Sequence, residues 1–97
     1  GLPIYVTENG MANADPIVSG HIEDDARIAY IEAHLHAARR AIEDGAPLVG
    51  YYIWSLLDNY EWALGYEKRF GLVHVDFDTL ERRSKKSFET LKGWIAR

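Results

Sequence analysis

The chain opens with a short run of β-branched and aromatic residues, Ile4–Thr7, that ends at a turn signal. Because Asn9 and Gly10 together favour a turn, the pattern predicts a strand that stops at Glu8. The next residues, Met11–Gly20, are rich in Ala, Asn, Asp, Pro and Gly and show no period. We predict a loop for that segment.

Apolar residues then recur at spacings of three and four, which is the period of a helix with one buried face. Acidic residues at the beginning of this segment favour a helix there, because the N-terminal end of the helix dipole is positive. Gly45 and Pro47 provide the end signal. We therefore predict a helix that begins at Asp24 or Asp25. Its buried stripe is Ile28, Ile31, Leu35, Ala38 and Ile42.

Leu48–Trp54 is a nearly unbroken apolar run that is too short for a helix and lacks polar alternation. Such a run is typical of a strand in a parallel sheet that is covered on both faces. We predict a loop over Ser55–Arg69, then a half-exposed strand over Phe70–Phe77 that suits a hairpin. A last helix follows, with Ser84 as its predicted N-cap. Its predicted buried face contains Phe88, Leu91 and Ile95.

The predicted order of elements is two consecutive βα units with an inserted β-hairpin after the last strand, which is an α/β arrangement. Two parallel strands and one connecting helix cannot cover both faces of their own sheet. A (β/α)8 TIM barrel takes about 250 residues, so two units are roughly a quarter of one. Residues 1–97 show no linker or internal boundary. We therefore predict that they form a single segment of a larger fold.

Composition excludes several kinds of chemistry. The 97 residues include no cysteine, so a disulfide framework, a thiolate nucleophile and a cysteine zinc site are absent. A net charge of −4 gives no basic surface for nucleic acid. No apolar run approaches the roughly 20 residues of a membrane span, and the first residues do not resemble a signal peptide. We expect a cytoplasmic protein with no membrane or nucleic-acid partner, although a leader would precede these residues.

Aromatic and acidic residues gather where the predicted strands end. In a (β/α)8 barrel the functional groups lie at the C-terminal ends of the strands. Glu8 ends the first strand, Trp54 ends the second, and Glu61 and Trp62 lie in the loop that follows. Indole rings stack on pyranose faces, and carboxylates accept hydrogen bonds from neighbouring sugar hydroxyls. The pattern favours a carbohydrate site, with a solvated or structural acid at Glu8 as the alternative.

Two long motifs sharpen this interpretation. Ile4–Gly10, with the sequence Ile-Tyr-Val-Thr-Glu-Asn-Gly, resembles the nucleophile motif of the family 1 glycoside hydrolases of β-glucosidase type. Trp54–Tyr66 resembles their sugar-binding and aglycone-side segment, and the likeness continues through Lys68–Val73 and Arg82–Ser87. The resemblance covers essentially the whole chain. It implies the C-terminal portion of a catalytic TIM barrel, about its last two βα units.

The resemblance also implies a role for each site residue. Glu8 would be the nucleophile of a retaining mechanism, attacking the anomeric carbon to form a glycosyl-enzyme that water then hydrolyses. Glu61 would bind two hydroxyls at the far end of the non-reducing sugar, and Trp62 would bind a neighbouring hydroxyl through its indole N–H. Trp54 would form the stacking floor and Phe70 a wall of the pocket. For Trp54 and Phe70, ordinary core packing is the alternative.

The implied substrate is an unphosphorylated β-D-glycoside, such as a glucoside, galactoside or fucoside. Relatives that act on 6-phosphorylated sugars are expected to replace the Glu61–Trp62 pair, because a carboxylate at this position would repel a phosphate. The chemistry needs no cofactor and no metal. His21, His34, His36 and His74 show no metal-ligand spacing, so solvated or packing roles are favoured for them.

One essential group is missing from the chain. A retaining glycosidase needs a second carboxylic acid about 5 to 5.5 Å from the nucleophile. The family carries it in an Asn-Glu-Pro motif on an earlier strand, and that tripeptide does not occur here. We predict a chain that is inactive alone and that works with a complementary N-terminal barrel segment or chain. The alternative is an inactive fragment that self-associates as a homo-oligomer or binds carbohydrate.

Two charged segments receive structural interpretations. Asp76 and Asp78 flank a turn, where turn stabilisation is favoured over a calcium site. The basic run before the last helix is predicted to be a solvated surface. Its members are Arg82, Arg83, Lys85 and Lys86.

Overall fold

The structure is a computed structural model that describes residues 1–96. The described residues form four strands and two α-helices, and a 3-10 turn at Trp62–Leu64 lies in the long loop after the second strand. In chain order the elements are β1 (Ile4–Asn9), α1 (Asp25–Glu43), β2 (Leu48–Ile53), β3 (Val73–Val75), β4 (Arg82–Ser84) and α2 (Lys86–Ile95).

The first three elements form a βαβ unit. β1 and β2 pair in parallel, with Ile4 opposite Leu48 and Asn9 opposite Ile53, and α1 makes the connection between them. Parallel strands need such a crossover, and it brings their carboxyl ends to the same edge of the sheet. The predicted helix start at Asp25 is confirmed. The predicted first strand is too short, because Asn9 continues the pairing and Glu8 lies inside β1.

β2 is only partly covered by the rest of this chain. As predicted, the chain does not cover both faces of its own sheet, because Val49 is 59% and Tyr52 58% exposed. Ile42, at the end of the predicted α1 stripe, is 50% exposed, whereas Ile31 of the same stripe is buried. The apolar surface of the sheet therefore has no cover where a complete α/β fold would have one.

β3 and β4 form a separate antiparallel pair, in which Val73 lies opposite Ser84. The predicted strand over Phe70–Phe77 is shorter in the structure, because the residues before β3 pair with the loop instead. The Ser55 N–H donates to the Phe70 carbonyl at 3.2 Å, and the Leu72 N–H donates to the Ser55 carbonyl at 3.0 Å.

The beginning of α2 differs from the prediction. Ser84 belongs to β4, and Lys85 occupies the N-cap position without a capping side-chain bond. Asp24, from the loop before α1, accepts the Ser87 backbone N–H at 2.9 Å and also the Ser87 hydroxyl. Helix N-termini leave several N–H groups without an intrahelical partner. Here a carboxylate distant in sequence satisfies one of them.

The interior of the described chain is more polar than apolar. The prediction that Ile95 is buried is wrong, since this residue is 78% exposed, while Phe88 and Leu91 are half-buried. Within residues 1–96, no helix is both long enough and apolar enough to cross a membrane. The buried apolar residues are Ile22, Ile31, Leu72 and Val75. The buried polar residues are Asp15, Asp24, Arg27, Ser55, Asp58, His74, Lys85 and Ser87.

Candidate active site

The carboxyl ends of β1 and β2 are in direct backbone contact. The Trp54 N–H donates to the Asn9 carbonyl at 2.8 Å, and the Tyr51 hydroxyl donates to the Asn9 side-chain oxygen at 2.6 Å. Burial raises the pKa of Tyr51, which keeps this donor protonated. A side chain at Gly10 would not fit, since its Cβ would lie 1.9 Å from the Trp54 carbonyl oxygen. The sequence therefore needs glycine at this crossing point.

Glu8 lies at this edge, one residue before Asn9. Its side chain is exposed. Phe70 lies close by, because its Cδ1 atom would be 3.5 Å from a Cβ placed on Gly10. Phe70 is half-buried, which fits both the predicted pocket wall and the packing alternative.

Trp54 and Glu61 contact each other directly. The indole Nε1 of Trp54 donates to Glu61 Oε1 at 3.3 Å, and the two residues are seven positions apart. The Trp54–Ser55 peptide bond is cis. Trp54 is 39% exposed, so its side chain is not part of the core of this chain. This contact brings the loop back to the end of β2.

Trp62 stands out from the rest of the site. It begins the 3-10 turn, has a φ of 45°, and is 85% exposed. The turn is closed by the Glu61 N–H, which donates to the Gly65 carbonyl at 2.9 Å. The structure thus joins Trp54 to Glu61 and places Glu8 and Phe70 at the same strand end, whereas Trp62 points to open solvent.

A buried charged cluster, which sequence reasoning missed, lies in the loops that carry these residues. The Asp58 carboxylate accepts from Lys85 Nζ at 2.8 Å and from Arg69 Nη1 at 2.7 Å. It also accepts the backbone N–H groups of Gly71 at 3.0 Å and Val75 at 3.3 Å. Burial raises the pKa of Asp58, but the hydrogen bonds from Lys85 and Arg69 outweigh it, so the pKa lies below its ordinary value. Asp58 is therefore an ionised anchor.

Lys85 extends the cluster to the loop after β1. Its ammonium group lies 2.6 Å from Asp15 Oδ2, and the residue is completely buried. The prediction that Lys85 belongs to a solvated basic surface is therefore wrong, although Arg82, Arg83 and Lys86 are exposed as expected. The partners Asp15 and Lys85 are 70 residues apart, so no local sequence pattern indicates the pair.

Arg27, at the beginning of α1, completes the cluster. Its guanidinium pairs with Asp15 and, at 3.3 Å, with Asp24. It also donates to the carbonyl oxygens of Met11 at 2.6 Å and Arg69 at 2.8 Å. Within the described part of the chain, no buried side-chain nitrogen or oxygen lacks a hydrogen-bond partner. A fully paired network of this kind fixes its members in one geometry.

The other candidate residues have structural contacts. Asp76 Oδ1 accepts the N–H groups of Asp78 and Thr79 at 2.9 and 3.1 Å, which confirms the predicted turn stabilisation. His34 Nδ1 lies 2.8 Å from the Tyr30 carbonyl, and His36 packs edge-on against Trp94. In residues 1–96, no group of three or more His, Cys, Asp or Glu side chains is arranged to hold a metal ion.

Comparison with known proteins decides the family. Residues 1–97 match the family model described as Glycosyl hydrolase family 1. The chain belongs to glycosyl hydrolase family 1. This family 1 chain is 60% identical over 85 residues to β-glucosidase A of Acetivibrio thermocellus, a match that covers 87% of the chain and 19% of the relative. It is 55% identical over 84 residues to a 6-phospho-β-galactosidase of Streptococcus mutans, covering 87% and 18% respectively.

A solved structure extends the comparison to the fold. A β-glucosidase from Exiguobacterium marinum superposes with a TM-score of 0.94 at 49% identity, covering 98% of this chain and 22% of its own. The family 1 chain therefore spans about a fifth of the length of the relatives that it matches. The chain therefore fits a fragment of a TIM barrel.

Proposed function

We propose that this chain supplies the nucleophile and part of the sugar-binding subsite of a retaining β-glycosidase that hydrolyses terminal, non-reducing β-D-glucosides. The observation that carries the proposal is the placement of an exposed carboxylate, Glu8, at the strand end where Trp54 and Glu61 are hydrogen-bonded together. A nucleophilic acid beside an indole and a second acid has the chemistry that a glycoside needs.

In the proposed reaction, the Glu8 carboxylate attacks the anomeric carbon, and the bond to the leaving group breaks as the second catalytic acid donates its proton to the leaving oxygen; that group then takes a proton from the attacking water. Water then attacks the glycosyl-enzyme, releases the sugar and restores the Glu8 carboxylate. Glu61 accepts hydrogen bonds from two hydroxyls at the far end of the ring, and Trp62 donates to a neighbouring one. The Trp54 ring supports the sugar face, and Phe70 lines the pocket. The proposal assigns no metal and no cofactor to the chemistry.

The second catalytic acid must come from elsewhere. We propose that a complementary N-terminal barrel segment provides it and covers the exposed surface around Val49 and Tyr52, with β3 and β4 as a hairpin inserted after the last barrel strand. This is supported by the share of the relatives that the chain spans and by the apolar surface left open on β2. An interface of this kind resembles a domain core cut in half.

An unphosphorylated substrate is favoured by Glu61. Overall identity does not separate the two substrate classes, because a 6-phospho-β-galactosidase and a β-glucosidase are both more than half identical to the chain. The side chain at position 61 bears on the question directly, since a carboxylate there repels a phosphate group. We therefore expect cleavage of a glucoside and little cleavage of its 6-phosphate.

The test is a chimaera in which residues 1–97 replace the matching segment of the Acetivibrio β-glucosidase. We expect it to hydrolyse 4-nitrophenyl β-D-glucoside, and we expect Glu8→Gln to lower kcat by at least about 10³-fold, because the nucleophile is lost. Glu67→Gln, at an exposed acid of the loop after β2, is the control and should retain activity. An active Glu8→Gln chimaera would contradict the nucleophile assignment.

A self-associating, inactive fragment is the second candidate, and the same exposed apolar surface on β2 favours it. Size-exclusion chromatography with mass measurement of the 97-residue chain separates the two. A stable homodimer, together with an inactive chimaera, would support the fragment. A chain that binds the complementary barrel segment and gains glucosidase activity would support the glycosidase.

A further inference from the structure

Two loops carry the proposed site, and a buried lysine joins them. The β1 loop comprises residues 10–24 and contains Asp15, and the β2 loop comprises residues 54–72 and contains Asp58. Lys85, from the junction of β4 and α2, lies 2.6 Å from Asp15 and 2.8 Å from Asp58. Within residues 1–96, it is the one cation whose ion pairs reach an aspartate of each loop.

We propose that Lys85 is a positioning residue that sets where the β2 loop holds Glu61 and Trp62 relative to the strand end at Glu8. The inference rests on the proposed function, and Lys85 itself touches no substrate in it. Lys85 acts through Asp58, three positions before Glu61 in the β2 loop. In this role Lys85 helps to orient the sugar, because orientation requires precise placement of the hydrogen-bonding groups of Glu61 and Trp62.

Apart from the buried Leu72 at its end, the β2 loop has little apolar anchoring of its own, which is why an ionic anchor matters. Its large apolar side chains are mostly exposed, as shown by Leu56 at 58%, Tyr60 at 58% and Leu64 at 46%. The Trp54–Glu61 hydrogen bond is 3.3 Å long and is exposed. By contrast, the Asp58 carboxylate is fully buried and accepts four donors. Asp58 is therefore the buried ionic anchor of this loop, beside the backbone hydrogen bonds between Asn13 and Arg69.

Lys85 differs from the other cations of the cluster because its ion pairs join the β1 loop to the β2 loop. Arg69 lies on the β2 loop itself, so its contact with Asp58 fixes the loop internally. Arg27 contacts the β2 loop only through carbonyl oxygens, at 2.8 Å from Arg69 and 3.3 Å from Phe70. Lys85 is fully buried by this chain alone, so its role does not depend on a segment outside it.

The test compares Lys85→Met with Lys86→Met in the active chimaera. Lys86 is the matched control because it is adjacent, is exposed and pairs only with Asp25 at the surface. The measurement is the ratio of kcat/KM for 4-nitrophenyl β-D-glucoside to that for the β-D-xyloside, which lacks the hydroxymethyl group. This ratio does not depend on how much enzyme is folded, so a purely structural role would leave it unchanged.

We expect Lys85→Met to lower the glucoside-to-xyloside ratio about tenfold, because displaced hydrogen-bonding groups lose their discrimination. Lys86→Met should leave the ratio within about twofold. An unchanged ratio in an active Lys85→Met chimaera overturns the inference. An inactive chimaera with the original Lys85 contradicts the proposed function instead, so the two failures are distinguishable.

A second variant keeps the inference testable when Lys85→Met does not fold. Asp15→Asn preserves the shape of the side chain but removes the charge that pairs with Lys85 on the β1 loop and also with Arg27. We expect this variant to lower the same ratio about threefold, while Asp25→Asn, the exposed counterpart, leaves it unchanged. A ratio equal to that of the unsubstituted chimaera in Asp15→Asn overturns the inference.

Discussion

The charged cluster and the β1–β2 sheet differ in how far this chain completes them. In the cluster, Asp15, Arg27, Asp58 and Lys85 are each at most 4% exposed and all have partners. In the sheet, apolar side chains such as Val49 and Tyr52 are more than half exposed. The usual distribution, with apolar residues inside and charges outside, is reversed.

The difference shows which interactions are local to this part of the fold. Burying a charge is unfavourable unless the charge is paired. The buried charges of the cluster all find their partners within this chain. Apolar surface has no such requirement for a specific partner and can be covered by another segment. In the proposed function, the sheet is the surface that another barrel segment covers, and the cluster is the fixed part of the structure behind the proposed site.

The largest effect is expected from breaking the cluster at its anchor. Asp58→Ala leaves Lys85 and Arg69 without their shared carboxylate and should lower the free energy of unfolding of the chimaera by about 3–5 kcal/mol. Asp25→Ala removes an exposed ion pair and should cause no measurable change. Urea unfolding of both variants checks this. Equal midpoints would show that the cluster does not stabilise the fold.

A smaller effect is expected on the side of the sheet. Val49→Asp places a charge on a surface that is exposed in this chain but covered in a complete barrel, and should lower the free energy of unfolding of the chimaera by about 2 kcal/mol or more. Lys92→Asp, at an exposed position of α2, is the control. Urea midpoints compare the two. If Val49→Asp is no more destabilising than Lys92→Asp, the sheet does not have the proposed covered neighbour.

The smallest effect concerns pH and the buried His74, whose ring interacts electrostatically with Arg69, Asp58 and Lys85 of the cluster. Burial, together with the positive charge of nearby Arg69, holds the pKa of His74 below its ordinary value of 6.5. The unfolded chain therefore binds a proton that the folded chain does not. This contribution to stability is complete above pH 6.5 and is lost as the pH falls through the lower folded-state pKa.

His74→Gln should therefore flatten the dependence of the unfolding free energy on pH below 6.5. The exposed His21→Gln is the matched control for the change of side chain. Urea unfolding at a series of pH values is the measurement. A slope that stays the same in His74→Gln would show that burial of this histidine does not contribute to the pH dependence.

Most of the elements could be predicted from local pattern. The three-and-four spacing of α1 and the apolar run of β2 indicate their structures because each is a property of neighbouring residues. The errors share a physical cause. Ser84 has the chemistry of an N-cap, but its backbone pairs with Val73, so the beginning of α2 is satisfied by Asp24 instead. Lys85 belongs to a basic run predicted to be solvated, but it is buried because Asp15 and Asp58, from two loops distant in sequence, pair with it.

The sequence by itself determined the family motifs, the candidate residues Glu8, Trp54, Glu61, Trp62 and Phe70, and the order of the elements. Each of these depends on residue identity or on short-range periodicity. Only the tertiary structure decided that Lys85 is buried between Asp15 and Asp58, and that the sheet remains uncovered in this chain. The physical reason is that ion pairing and burial depend on groups up to 70 positions apart, which meet only once the chain has folded.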